Sequence, residues 1–293
     1  MMRHYRRAGG RAVRLVLCAA PLAFALAALP AAAETLVERG AYLMKGIVAC
    51  GNCHTMPGGP MAAHELSGGQ KFGERAFTVF APNITPDHET GIGGWTDDQL
   101  VAAIRDGKKP DGSLVRPPMP IPFYRSMSDR DVRAIVAYIR TVAPTRNAVT
   151  REAVYNIPLP PSYGPPVGAV PDVPKTDKIA YGRYLAYIGH CLECHTPLGP
   201  QGRDLSRAGA GGEKFEGPWG TSVSANITPD AETGLGKWSD ADIKRAITTG
   251  TRPDGTKLNP PMGFAYYKNI ADDDLDALIA FLRSLKPINN KTR

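Results

Sequence analysis

The chain has 293 residues, enough for two domains of ordinary size and too many for one small one. Hydrophobic residues make up 43% of it, as in a soluble globular protein, and its 27 prolines point to long ordered loops rather than dense secondary structure. The net charge of +7 suggests an anionic partner at first sight, but five of the 35 basic residues precede residue 34 with no acid among them. The remainder carries 30 basic against 28 acidic residues, a net of +2, which excludes a nucleic-acid-binding footprint.

Residues 1–33 read as a secretory signal. MMRHYRRAGGRAVR is basic, Leu15 to Leu29 is an apolar run of 15 residues, and Ala31-Ala32-Ala33 before Glu34 has the small-residue pattern of a cleavage site. The run falls short of the roughly 20 residues a spanning helix needs. Arg6-Arg7 hints at a twin-arginine signal, which the following AGGRAV does not support. Cys18 follows the bulky Leu17 and reads as a bystander, not a lipidation site. The remaining chain is expected to be exported, cleaved near Ala33, with no other membrane-spanning segment and no C-terminal anchor.

CGNCH, residues 50–54, is the first motif that carries chemistry, and CLECH, residues 191–195, repeats it. C-x-x-C-H is the attachment signature of c-type haem. Residues three apart on a helical turn share a face, so Cys50 and Cys53 can reach two vinyl groups of one porphyrin. His54 can then point at the iron. Cys191, Cys194 and His195 are expected to do the same for a second covalent haem. A thioredoxin-like dithiol would need a βαβ context, and a zinc site would need four ligands. A plain disulfide is open to any exported cysteine pair, but it leaves the two histidines unexplained.

The chain is written twice. NITPDHETGIGGWTDDQL (83–100) matches NITPDAETGLGKWSDADI (226–243), KKPDGSLVRPPM (108–119) matches TRPDGTKLNPPM (251–262), and SDRDVRAIVAYIRTVAP (128–144) matches ADDDLDALIAFLRSLKP (271–287), all at an offset of 143 residues. RGAYL (39–43) pairs with YGRYL (181–185). Between the copies lies IPLPPSYGPPVGAVPDVPKT (157–176), which reads as a semi-rigid linker. The expected organisation is a signal at 1–33, a first domain at 34–156, a linker at 157–176 and a second domain at 177–293.

Each copy predicts three helices. The first enters C-x-x-C-H. The second starts at Thr96 or Ser239, with Gln99 or Asp242 three residues on as in a capping box, and stops near Gly107 or Gly250. The third carries an apolar stripe: Val132, Ile135, Val136, Ile139 and Val142 in one copy, Leu275, Leu278, Ile279, Leu282 and Leu285 in the other. No segment reads as an alternating strand. The fold class expected is mostly α, two tandem haem domains with long Pro/Gly-rich loops.

The sixth iron ligand decides what such a site does. A strong protein ligand closes the iron and favours electron transfer, whereas an open position permits peroxide chemistry. Methionine opposite histidine raises the potential. Met119 in RPPMP and Met262 in NPPMG occupy the same place in the two repeats and are the candidates. Met44, Met56, Met61 and Met127 have no methionine partner and read as packing or surface. His64, His88 and His190 read as surface residues, with a rival ligand or a proton carrier as the alternatives. Trp95 and Trp238 are expected either beside a haem propionate or packed in the core. Asn83 and Asn226 are expected to order the NITPD loops through side-chain to backbone bonds. RAGAGGEKFEGPWG (207–220) is expected only in the second copy and Lys108-Lys109 only in the first.

The series Tyr-Leu, C-x-x-C-H, NITPD-x-ETG-x-G-x-W, methionine loop and final amphipathic helix resembles the cytochrome c subunits of bacterial periplasmic dehydrogenases, such as those of alcohol and gluconate dehydrogenases. The resemblance covers nearly all of the chain after the signal. It implies that Cys50, Cys53, His54 and Met119, and Cys191, Cys194, His195 and Met262, hold the haems. It also implies a periplasmic location and a dehydrogenase as electron donor. The acceptor would be another cytochrome, an oxidase or a quinone-linked acceptor, with delivery towards the respiratory chain. Such subunits commonly have three haems and a membrane-binding segment. This chain is similar to the shorter dihaem members. The alternative class is a dihaem enzyme, peroxidase-like, with one iron able to open; the paired methionine loops speak against it.

Overall fold

The computed structural model describes residues 33–74, 76–150, 152–200, 202–217 and 219–292, with four isolated positions (1, 2, 4 and 9) before them. The expected signal segment lies, those positions and Ala33 aside, outside the described residues. Among the described residues no helix is long and apolar enough to cross a membrane.

Among the described residues ten α-helices follow one another in two matching sets of five: α1 (Leu36–Lys45), α2 (Gly51–His54), α3 (Asp97–Arg105), α4 (Ile121–Tyr124) and α5 (Asp129–Ile139), then α6 (Lys178–Ile188), α7 (Cys191–Cys194), α8 (Asp240–Thr249), α9 (Phe264–Tyr267) and α10 (Asp272–Ser284). The mostly helical, duplicated architecture expected from the sequence is present. Capping boxes open α3 at Thr96–Gln99 and α8 at Ser239–Asp242, and a third opens α1 at Thr35–Glu38. Gly250 closes α8 at φ 62°, where a residue without Cβ is unstrained.

The core of each half is a crossed helix pair, α1 on α5 and α6 on α10. Val132, Ile135, Val136 and Ile139 are buried, as are Leu275, Leu278, Ile279 and Leu282, while Val142 and Leu285 lie at the margin. Gly40 and Gly182 set the approach. A Cβ on Gly40 would lie 1.9 Å from the Ala134 carbonyl oxygen, and one on Gly182 would lie 1.8 Å from that of Ala277. Only glycine lets the backbones meet this closely.

Three features depart from the sequence reading. First, the helix expected to run into C-x-x-C-H is broken: α1 and α6 stop, Ala49 and His190 take left-handed conformations (φ 50° and 44°), and a separate single turn carries each motif. Second, there are strands. β1 (Lys71–Glu74) and β2 (Phe77–Phe80) form a hairpin in register Lys71↔Phe80, extended by β3 (Val154–Tyr155) on β2. β4 (Leu198–Gly199) pairs β5 (Gly202–Arg203), and β6 (Lys214–Gly217) pairs β7 (Gly220–Val223). Four residues are too few for an alternation to register. Because β6 lies 143 residues after β1, the stretch 207–220 is not peculiar to the second half.

Third, residues 157–176, expected as a semi-rigid linker, are also tethered to the first half. They run along the first half, joined to it by Arg116 to the Pro160 carbonyl (3.2 Å), Arg125 to that of Pro165 (2.6 Å), and the Val167 N–H to Asp106 (2.7 Å). The Asp129 N–H donates to Val170 O at 2.9 Å, and Val173 packs on the core.

Candidate functional site

His54 and His195 are both 8% exposed. In each, Nδ1 lies within hydrogen-bond reach of a backbone carbonyl oxygen, Pro82 at 2.9 Å and Ala225 at 2.7 Å. A carbonyl can only accept, so Nδ1 carries the proton and the Nε2 lone pair is left for another partner. Burial pushes both imidazoles below their ordinary value, against the pull of the carbonyl, so both rings are neutral, the form that ligates a metal.

The cysteines are half-buried beside them and unbridged. Burial pushes their thiols up, to about 11 for Cys53 and about 12 for Cys50, Cys191 and Cys194. A redox dithiol needs a stabilised thiolate; these four are held neutral. Among the described residues no group of three or more His, Cys, Asp or Glu is placed to hold a metal ion.

Burial alone does not single out the candidate methionines: Met56 and Met61 are half-buried, as Met119 and Met262 are. Met44 and Met127 are fully buried core residues. Met119 and Met262 are half-buried and pack against the apolar core, and so do Cys50 and Cys191, Ile84 and Ile227, Trp95 and Trp238, and Ile104 and Ile247. These partly buried residues are repeat-related pairs. Each half thus supplies two thiols, one imidazole with a free Nε2 and one half-buried thioether. That donor set fits a covalently held haem.

The NITPD loops are ordered as expected. Asn83 accepts from the Thr85 N–H (2.9 Å) and donates to the Thr145 carbonyl (2.7 Å); Asn226 repeats both bonds with Thr228 (3.0 Å) and Ile288 (2.7 Å). Asn147 and Asn290, overlooked in the sequence, donate to the carbonyls of Ser67 (2.9 Å) and Ala210 (2.8 Å), and so tie the chain after each third helix to the loop after each motif. His64 and His88 are exposed. His190 is not a surface residue. It is half-buried, its ring edge-on to Tyr124 of the other half at 6.2 Å, and burial lowers its pKa to about 4.

Both C-x-x-C-H turns lie at the contact between the halves. The Tyr266 hydroxyl would lie 2.3 Å from a Cβ on Gly51, and Asn52 Nδ2 donates to the Pro261 carbonyl at 3.3 Å. On the other side α4 packs on α6, with Phe123 and Tyr187 rings 5.7 Å apart.

A family model described as Cytochrome c matches residues 37–143 and again 179–286. The gluconate 2-dehydrogenase cytochrome c subunit of Pantoea cypripedii is 33% identical, over 92% of this chain and 64% of its own length. The alcohol dehydrogenase (quinone) cytochrome c subunit of Gluconobacter oxydans is 31% identical, over 87% of this chain and 56% of its own. The chain therefore spans between about half and two thirds of the length of these subunits. A diheme cytochrome c-type protein of Cereibacter sphaeroides is 32% identical over 82% of each chain. With two matches to one family model and the same donors repeated in each half, the chain belongs to the cytochrome c family.

Proposed function

We propose that the protein is an exported dihaem cytochrome that carries electrons from a dehydrogenase towards a respiratory acceptor. Cys50 and Cys53 would tether the first haem by thioether bonds, with His54 Nε2 and the Met119 sulfur as the donors that would hold its iron. Cys191, Cys194, His195 and Met262 would serve the second. When bound, each haem supplies a one-electron iron couple. The protein's part is to hold that couple still. The carbonyls of Pro82 and Ala225 fix the imidazole tautomer and ring plane. The proline-flanked loops present the thioethers, and the surrounding isoleucines and tryptophans keep water from the metal.

The observation that carries this reading is the repetition of the full donor set, thiol pair, oriented imidazole and half-buried thioether, in both halves. Two closed irons suit electron transfer, not turnover of a substrate at the metal. Relatives named as cytochrome c subunits of gluconate, alcohol and fructose dehydrogenases support a dehydrogenase as the donor. A periplasmic site, with a signal cut near Ala33, is the location consistent with the basic and apolar N-terminus.

The test is the visible spectrum of the purified haem-loaded protein, oxidised and reduced, with the weak sulfur-to-iron band counted per haem. A band for two methionine-ligated haems, unchanged by peroxide or cyanide, is expected. A half-size band with a high-spin component that binds peroxide would overturn the reading in favour of an enzyme. Mass spectrometry of the exported chain reads the cleavage point.

A further inference from the structure

The two methionine loops are anchored unequally. Pro117-Pro118 and Pro260-Pro261 have no N–H groups, so neither segment can be held by donors of its own. What they offer are carbonyl oxygens. Two flanking bonds match in the two halves: Val115 N–H to Gly107 O (2.7 Å) against Leu258 N–H to Gly250 O (2.8 Å), and Ile121 N–H to Met119 O (2.9 Å) against Phe264 N–H to Met262 O (3.0 Å); the first loop also has Met119 N–H to Arg116 O (3.3 Å). The donors that reach the remaining carbonyls do not match.

In the first half both come from the segment that leaves the domain. The Tyr155 hydroxyl donates to Pro117 O and the Tyr163 hydroxyl to Val115 O, each at 2.9 Å. Tyr155 is itself fixed in β3 opposite Phe77, and the Tyr163 ring covers Gly107, 2.6 Å from where its Cβ would be. In the second half Ser222 of β7 donates to Pro260 O at 2.6 Å, and Asn52 of the first C-x-x-C-H turn donates to Pro261 O at 3.3 Å.

We propose that Tyr155 and Tyr163 are positioning residues for Met119, holding its sulfur in place through the carbonyls of Pro117 and Val115. The proposal rests on Met119 being an axial ligand. It makes residues 154–163 part of the first haem site, whereas the Met262 loop takes its bonds from Ser222 and Asn52.

The test is Tyr155→Phe/Tyr163→Phe in the full haem-loaded chain, which keeps both rings and removes two hydroxyls. The readouts are the axial-methionine methyl signals in the proton NMR spectrum, assigned by their loss in Met119→Ala and Met262→Ala, and an imidazole titration. Loss of two hydrogen bonds should let imidazole displace one methionine roughly tenfold more readily. The signal that broadens should be that of Met119, with the Met262 signal unmoved. If the double variant loads haem poorly, Tyr163→Phe alone is read the same way. Two methionine signals in the unaltered protein, with imidazole affinity and both signals unchanged in the variant, overturn the positioning role alone. A change confined to Met262 overturns it too. No axial-methionine signal in the unaltered protein overturns the ligation reading and the proposal with it.

Discussion

Tyr184 of the second half donates its hydroxyl to a carboxylate oxygen of Asp131 in the first, at 2.6 Å. The contact recurs with the halves exchanged: Tyr42 donates to Asp274 at 2.7 Å. Each hydroxyl also accepts the backbone N–H at the start of the opposite third helix, Ser128 at 3.3 Å and Ala271 at 3.1 Å. Each tyrosine therefore caps a helix of the other half, where the first-turn donors have no partner within the helix. Asp131 is further paired with Arg39 through two bonds of 2.8 Å, and Asp274 with Tyr181 (3.2 Å) and Lys175 (2.9 Å).

Tyr184→Phe is accordingly expected to destabilise the protein by about 1.5–3 kcal/mol, the range for a hydrogen bond to a charged group. Asp131→Ala should cost more, about 3–5 kcal/mol, because it strands the buried Arg39 guanidinium. Denaturant unfolding followed by far-ultraviolet circular dichroism measures both. Equal stability of Tyr184→Phe and the unaltered protein would show that the cross-half cap contributes nothing.

Gly40→Ala tests the helix crossing. Its new methyl would meet backbone, the Ala134 carbonyl oxygen at 1.9 Å, not a side chain that can turn aside. The helices must separate, at a cost of about 1–3 kcal/mol or more. The matching change Gly182→Ala, against Ala277, should behave alike. A Gly40→Ala variant as stable as the unaltered protein would mean that α1 and α5 slide past each other freely.

The sequence carried the repeat, the motifs and the third-helix stripe because each is a local pattern with a fixed period. Thr96 and Ser239 were legible as caps for the same reason. The cross-half bonds were not: Tyr42 and Asp274 are 232 residues apart, and nothing near either tyrosine names its acceptor. The pairing of AYL with RYL and of SDRD with ADDD did mark all four residues as repeat-related, which was the available signal. The hairpins escaped because four-residue strands show no usable alternation. Residues 157–176 looked like a spacer because Pro/Gly composition reports backbone stiffness, while their attachment comes from carbonyls and from Tyr163.

Acid should loosen the NITPD loops. The Asp87 carboxylate accepts from the Thr90 hydroxyl and N–H, both at 2.7 Å, and Asp230 accepts from the Thr233 N–H (2.7 Å) and hydroxyl (2.8 Å). These bonds hold both carboxylates below the usual 3.8. A group whose pKa is lowered by folding stabilises the fold while ionised. That contribution is complete above about pH 4 and is lost as pH falls through the depressed value. Asp87→Asn/Asp230→Asn keeps an acceptor but removes the charge, so its stability should fall less steeply below about pH 4. Unfolding curves between about pH 2 and 6 decide it; parallel acid limbs for the two proteins would rule out these carboxylates as a source of acid sensitivity.

The last prediction separates the two irons. Met119→Leu and Met262→Leu each keep the side-chain volume and delete the sulfur, a swap that packing tolerates. Because methionine opposite histidine raises the potential, each variant should lower the potential of one haem, remove half of the sulfur-to-iron band and leave the other haem as it was. The double variant should lose the band entirely. Met119 lies between α3 and α5 and Met262 between α8 and α10, so the double variant should lose what the two single variants lose. A redox titration of the haem-loaded variants followed in the visible spectrum reads this directly. An unshifted pair of potentials in Met119→Leu would place the sixth ligand of the first haem on another residue.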